Sequence, residues 1–228
     1  MNKRSVRFIS LFVSVLGTLI YLGQEALAGP PLLCHPIEIE SARSLPWGGG
    51  KSWQSIDTSY DTARLADDTV ALLDGGLPVL ARMETLRRAT VYAMKDHKIA
   101  EALHARLRER ASRAKGESAA LALFDLGYLE EAFKQTRHVS RWRESLISHD
   151  GYSSVVRAIA MRGGDAEMEF AAALISIHPH RSALEEHLRK AVKWAAPGSL
   201  LARNIIRHFN DRGKTIAELQ ASLRAKKD

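Results

Sequence analysis

The sequence predicts an all-α fold, and three observations support this prediction. From about Ser59 onward, apolar residues recur at intervals of three or four, which is the period of one helix face. Glycine and proline residues interrupt this pattern at short intervals, and no convincing stretch alternates as a half-buried strand would. We therefore predict helix pairs that form a short α-solenoid or a compact helical bundle, preceded by an extended N-terminal arm.

The composition is that of an ordinary globular chain. The protein has 228 residues, of which 46% are hydrophobic and 26% charged, with 15 Gly, 7 Pro and a single Cys. These values exclude collagen-like, low-complexity and disulfide-rich classes. The length suggests one domain or two small ones and is sufficient to bury a sizeable core.

The first 28 residues are predicted to be a signal peptide. Basic residues within the first seven positions precede an uncharged, mostly apolar run over 8–22, and Ala26-Leu27-Ala28 resembles a cleavage site. The apolar run is short for a permanent anchor, since a membrane-spanning helix needs about 20 residues. We expect cleavage after Ala28 and a periplasmic or extracellular protein that is not integral to the membrane. The alternative is an uncleaved N-terminal anchor.

The charge of the mature chain argues against a nucleic-acid partner. Removal of residues 1–28 takes three basic residues and Glu25 from totals of 33 and 26, which leaves 30 basic and 25 acidic residues. The resulting net charge of +5 is small, and basic and acidic residues are mixed along the chain, unlike the clustered basic surface of a nucleic-acid-binding protein.

Residues 29–56 are predicted to be an extended arm, and residues 57–228 a single all-α domain. The arm contains four prolines and the run Gly48-Gly49-Gly50, none of which favours a helix. Apolar residues are interspersed, which a disordered linker would largely lack. We therefore expect the arm to dock on the helical body, with Trp47 and Trp53 as anchors.

The helices follow in order from their end signals. The first ends at Gly75-Gly76, the second begins near Pro78, and Asp96 and Ser118 are the expected caps of the third and fourth. In the second helix, Glu84 and Arg88 are spaced as a favourable surface pair.

The second half repeats this organisation. Gly163-Gly164-Asp165 reads as a helix end followed by an N-cap, Pro179 separates two helices, and Pro197-Gly198 ends the next. Two further helices are predicted near 199–209 and 214–225.

Two segments resemble tetratricopeptide-like helical-repeat proteins. Gly127-Tyr128-Leu129-Glu130-Glu131-Ala132-Phe133 is similar to the turn and second-helix start of such a repeat, and Lys190-Ala191-Val192 with Pro197 is similar to its end. This resemblance implies an α-solenoid whose concave face binds peptides or proteins. In the alternative interpretation, residues 117–136 form one unbroken helix of a bundle and Gly127 is a close-packing site.

No catalytic motif is readable, because the chain has neither a Gly-x-Ser-x-Gly elbow nor a complete phosphate-binding loop. Cys34-His35 and His178-Pro179-His180 would supply thiol and imidazole ligands if the arm met that turn. This pairing leaves open a metal-binding or thiol-dependent protein, although we predict no cofactor.

The most distinctive charge feature is the basic segment from Arg87 to Lys115. Its candidate partner-binding residues are Arg87, Arg88, Arg106, Arg110 and Arg113. Such a segment suits an acidic protein or peptide, or contact with an anionic envelope surface, and the alternative is a solvated helix face. We therefore predict an exported α-helical scaffold or interaction module, with a purely structural envelope protein as a further alternative.

Overall fold

The prediction of an all-α fold is confirmed. A computed structural model describes residues 29–50, 52–139, 150–177, 181–209 and 213–225, and within these ranges all regular structure is helical. The predicted signal peptide and the turn His178–His180 lie outside the described residues. No helix within these ranges is long and apolar enough to cross a membrane.

The described helices follow one another with short connections. Their bounds are α1 Pro31–Cys34, α2 Leu65–Asp74 after a 3-10 turn at Thr62–Arg64, α3 Val79–Ala93, α4 His97–Arg113, α5 Glu117–Thr136, α6 Gly151–Met161, α7 Ala166–Ile175, α8 Arg181–Trp194, α9 Leu200–Phe209 and α10 Ile216–Ala225. The closest packed neighbours are α5 with α6 and α7 with α8.

Helix α3 is the central element of the fold. It packs against α1, α2, α4, α5 and α7, and all of its residues except Arg88 are buried. The helix is not strongly apolar, since its buried residues include Arg82, Glu84 and Arg87. A helix enclosed in this way has to satisfy its charged side chains inside the protein.

The segment 29–56 lies on the helical body, and its apolar residues enter the core. Leu32, Leu33, Ile37 and Leu45 are each at most 4% exposed and join the main hydrophobic cluster. The segment also contains one helical turn, α1, which the prediction of an extended arm had not included. Pro31 occupies the first position of this turn, where the missing amide hydrogen has no cost.

Helix α5 is continuous through Gly127, as the second interpretation of that segment expected. A Cβ atom at Gly127 would lie 2.5 Å from the carbonyl oxygen of Gly151 in α6 and 2.8 Å from Cβ of Ser154. Glycine is therefore required by close contact between two helix backbones, and not by a turn. The wider resemblance to helical-repeat proteins stays a prediction.

Helix caps were only partly predictable. Asp96 accepts a hydrogen bond from the amide of Lys98, and Asp165 from the amides of Glu167 and Met168, as their positions indicated. Ser118 is not a cap, because Gly116 precedes α5 with a φ of +58° and the Ser118 hydroxyl donates to the carbonyl of Lys115. A backbone with positive φ favours glycine.

Candidate functional site: an arginine-lined cleft

Helix α4 presents one apolar and one basic side. Ala100, Leu103 and Leu107 are buried at helical spacing and hold the helix against the body. Beside this stripe, Arg106 and Arg110 reach carboxylates of α2, while Arg113 pairs with Glu109 of α4 itself. The local sequence thus determines both how α4 docks and where its arginines project.

The three arginines line one open cleft of about 380 Å³ between α2, α4 and the first turn of α5. Its other lining residues are Val70, Asp74, Glu109, Ala114 and Ser118. Three of the five arginines predicted to bind a partner therefore lie together around one concavity. Arginine clusters of this kind recognise carboxylates and other oxyanions through planar pairs of hydrogen bonds.

Glu109 links the two outer arginines of the cleft. Its carboxylate accepts from Arg106 Nη1 at 3.1 Å and pairs with Arg113 Nη2 at 2.7 Å. Arg106 also donates from Nε and Nη2 to Asp67. The Arg113 side chain is 77% exposed, so that it lies at the open edge.

Arg110 is the innermost arginine of the cleft, with a side chain only 13% exposed. Its Nε donates to Asp74 at 2.7 Å and its Nη1 to Asp125 at 2.8 Å. Asp125 is completely buried and also accepts from Arg82 Nη1 at 2.6 Å. Burial raises the pKa of Asp125 to about 6, and the two guanidinium groups offset part of that effect.

The internal ion pairs leave donors for a ligand. Arg110 Nη2 and both Nε and Nη1 of Arg113 have no partner among the described residues. Carboxylates on α2 and α4 hold the arginines in position. An oxyanion of a ligand at the open side of the cleft would meet the N–H groups of Arg110 and Arg113 that these carboxylates do not use. The cleft offers charge and hydrogen bonds, and the Ser118 hydroxyl in its lining already donates to a backbone carbonyl.

Arg87 and Arg88 lie away from this cleft, on α3. The Arg87 side chain is 1% exposed, and its guanidinium forms a two-bond pair with Glu84, with distances of 2.7 and 2.8 Å. It also donates to the carbonyls of Leu33 and Trp53 in the arm, at 3.1 and 3.3 Å. Arg87 therefore holds the arm and presents no surface to a partner in the folded chain.

The Glu84 carboxylate and Arg88 add further hydrogen bonds between α3 and the arm. It accepts from the amide of Ile37 at 3.0 Å and from Arg88 Nε at 2.8 Å, while Arg88 Nη1 donates to the carbonyl of Leu45 at 2.6 Å. The spacing correctly predicted the pair of Glu84 and Arg88, but its placement at the surface was wrong, because the arm covers it. Trp47 lies 4.7 Å from the Arg87 guanidinium and contributes a cation–π contact.

Sequence reasoning missed a polar chain through α6, α7 and α8. The Glu169 carboxylate lies 2.5 Å from His187 Nδ1, and His187 Nε2 lies 2.7 Å from the Tyr152 hydroxyl. Such a chain fixes the imidazole and links its two nitrogens to an acid and a phenol. Because its three members come from different helices, no spacing in the sequence could indicate it.

The structure describes only one half of the predicted thiol and metal site, the half formed by Cys34 and His35. Cys34 is partly buried, and burial raises the pKa of its thiol while the charge of Arg87 lowers it. A raised pKa disfavours the reactive thiolate. Within the described residues, no three His, Cys, Asp or Glu side chains are grouped so as to hold a metal ion. His178 and His180, the other half of that hypothesis, are outside these residues.

Comparisons of the chain with protein-family models, with curated proteins and with solved structures found no match.

Proposed function

We propose that this protein is an exported α-helical interaction module that binds an acidic segment of a partner protein in the arginine-lined cleft. The observation that carries the proposal is the convergence of Arg106, Arg110 and Arg113 on one concavity. Export rests on the N-terminal basic and apolar pattern and on Ala26-Leu27-Ala28.

The charges of the cleft support an anionic ligand. Three guanidinium groups line it together with the carboxylates of Asp74 and Glu109. Two further carboxylates, Asp67 and Asp125, pair with Arg106 and Arg110 from outside the lining. All three nitrogens of Arg106 are engaged. Arg110 and Arg113 each keep at least one nitrogen that has no partner among the described residues, and these N–H groups remain for the oxygens of a ligand. Hydrogen bonds between charged groups are roughly twice as strong as those between neutral ones.

The shape of the cleft favours a peptide segment over a membrane surface. Arg110 is recessed, whereas a flat lipid surface engages side chains that project. A volume of about 380 Å³ accommodates a few side chains, at the lower end of the usual range for ligand sites. The cleft therefore suits a short run of Asp or Glu residues.

Binding of a ten-residue aspartate peptide, measured by titration calorimetry at low and moderate salt, tests this function. The double variant Arg106→Ala/Arg113→Ala should bind about tenfold more weakly than the wild type and show a shallower salt dependence. Lys98→Ala/Arg108→Ala removes the same charge from exposed positions of α4 outside the cleft and is the matched control. It should change the affinity by no more than about twofold.

Three results would contradict the proposal. The peptide could fail to bind a folded chain even at low salt, or both double variants could weaken binding equally, which would indicate general charge attraction. In the third, vesicles containing anionic lipid would bind in a cleft-dependent manner while the peptide did not. Mass spectrometry of the exported chain tests the other half of the proposal, since an N-terminus at Gly29 is expected.

A further inference from the structure

One buried carboxylate connects the core of the protein with the cleft. Asp125 is 0% exposed, and its Oδ2 atom accepts from Arg82 Nη1 on α3 and from Arg110 Nη1 on α4. Its other oxygen, Oδ1, is buried and has no hydrogen-bond partner among the residues that the structure describes. A buried carboxylate that uses only one oxygen is poorly compensated for the loss of water.

We propose that a proton on Asp125 regulates the affinity of the cleft for its anionic ligand, through Arg110. While Asp125 is ionised, its charge draws the Arg110 guanidinium inward and cancels part of its field. When Asp125 is neutral, Arg110 becomes free to turn its charge and its Nη1 donor toward the ligand. The inference rests on the proposed function, because it needs an anion in the cleft.

The surrounding groups explain why the response passes through Arg110 and not through Arg82. Arg82 is 2% exposed and is also held by the carbonyls of Leu73 and Leu77, at 2.7 and 2.8 Å, so it stays in place without Asp125. Arg110 has one other partner among the described residues, the largely exposed Asp74 on α2. An exposed ion pair is weak and easily exchanged for a ligand carboxylate.

The direction of the effect follows from the charges. Protonation of Asp125 leaves two guanidinium groups facing one neutral acid, so the cleft becomes more positive and binds anions more tightly at lower pH. The raised pKa of Asp125, about 6, places this change between about pH 5 and 7. By linkage, ligand binding must favour the protonated acid and take up a proton.

The experiment is calorimetric titration with the ten-residue aspartate peptide from pH 7.5 to 5.0, in buffers that differ in ionisation enthalpy. Wild-type affinity should rise about five- to tenfold over this range, with uptake of a fraction of a proton per peptide near pH 6. Asp125→Asn keeps the shape of the side chain and should abolish both the rise and the uptake. Asp74→Asn, which removes the exposed partner of the same arginine, should keep both.

The outcomes separate the two proposals. If the peptide binds but the pH response persists in Asp125→Asn, other titrating groups account for it, and the inference is overturned while the proposed function stands. If the peptide binds at no pH, the proposed function fails and the inference fails with it.

A direct measurement covers the case in which Asp125→Asn does not fold. The carboxyl ¹³C shift of Asp125 in the wild-type chain should titrate near pH 6, and peptide should raise its midpoint by about 0.7 to 1 pH unit, which corresponds to the five- to tenfold change in affinity. A midpoint near 4, or one that the peptide does not move, would overturn the inference.

Discussion

Helices α3 and α4 are consecutive, basic and similar in length, yet their arginines have different surroundings. In α3, Arg82 and Arg87 are enclosed, and each donates to backbone carbonyls as well as to a buried carboxylate. In α4, Arg106 and Arg113 pair with partly exposed carboxylates beside an open cleft. The same residue type is therefore enclosed and fully paired in one helix and lines an open cleft in the next.

The difference comes from what covers each helix. Helix α3 has other helices around it and the arm across its remaining side, so its guanidinium groups exchange water for fixed protein acceptors. Helix α4 is fully buried along its apolar stripe, and Arg106 and Arg113 lie at its exposed side. Charge density along the sequence does not reveal this distinction, and substitutions in the two helices should therefore have different effects.

The largest expected effect is on stability, from Arg87→Ala in α3. This variant leaves Glu84 buried beside two arm carbonyls that have lost a donor, and it should lower the free energy of unfolding by about 3–5 kcal/mol. Urea denaturation measures the loss. Arg108→Ala, at an exposed position of α4, is the control and should have little effect.

The double variant Glu84→Gln/Arg87→Met refines that test, because it removes both charges together. It should recover part of the loss, because no buried carboxylate is left charged beside a missing guanidinium. The recovery should be incomplete, because Arg88 also loses Glu84 as a charged partner and the two arm carbonyls still lack a donor. Equal losses in Arg87→Ala and Arg108→Ala would show that α3 and α4 do not differ as described.

An intermediate effect is expected in the pH dependence of stability, from Asp125, which contacts arginines of both helices. The folded pKa of about 6 lies above the unfolded value of about 3.9, so the folded chain holds an extra proton between them. The contribution is therefore fully present below pH 4 and lost as the pH rises through 6. Over that range, wild type should lose roughly 2–3 kcal/mol relative to Asp125→Asn.

Urea denaturation of both proteins at several pH values between 4 and 7.5 measures this difference. Comparison with the variant removes the contributions of the other carboxylates and histidines, which are common to both. A difference that stays constant, or that grows with pH, would contradict the assignment of a raised pKa.

The smallest expected effects are within the cleft itself. Arg110→Ala leaves Asp125 with Arg82 as its remaining partner and should cost roughly 1–2 kcal/mol of stability. Arg113→Ala, at the exposed edge, should leave the unfolding curve almost unchanged while still weakening peptide binding. If Arg113→Ala destabilised the chain as much as Arg110→Ala, the cleft would be part of the core.

Much of the fold could be predicted because its signals are local. The apolar period of α4, the caps at Asp96 and Asp165 and the proline before α3 each depend on neighbouring residues alone. The arginines of α4 could be selected for the same reason, since Arg106, Arg110 and Arg113 lie at helical spacing on one element, whereas the cleft that they line depends on how α2 and α5 pack beside them. For residues 117–136, local spacing was compatible both with one continuous helix, as observed in α5, and with a turn at Gly127.

Contacts between residues distant in sequence were not accessible in this way. Nothing around Glu84 and Arg87 indicates that the arm, some fifty residues earlier, supplies Leu33 and Ile37 as their backbone partners. The chain from Glu169 through His187 to Tyr152 similarly depends on how three helices pack. Whether a charge is buried depends on how the helices and the arm pack together, and the free energy of that burial cannot be derived from the helix propensity of any single residue.

The amino-acid sequence by itself determined that this protein is helical, where several of its helices start and end, and that α4 carries an arginine face. Those features follow from backbone hydrogen bonding and from the helical period, which act over a few residues. Only the tertiary structure decided that Arg87 and Arg88 hold the arm and that Arg110 shares Asp125 with Arg82. The physical reason is that the surroundings of a charge, its water and its partners, depend on every segment that packs against it.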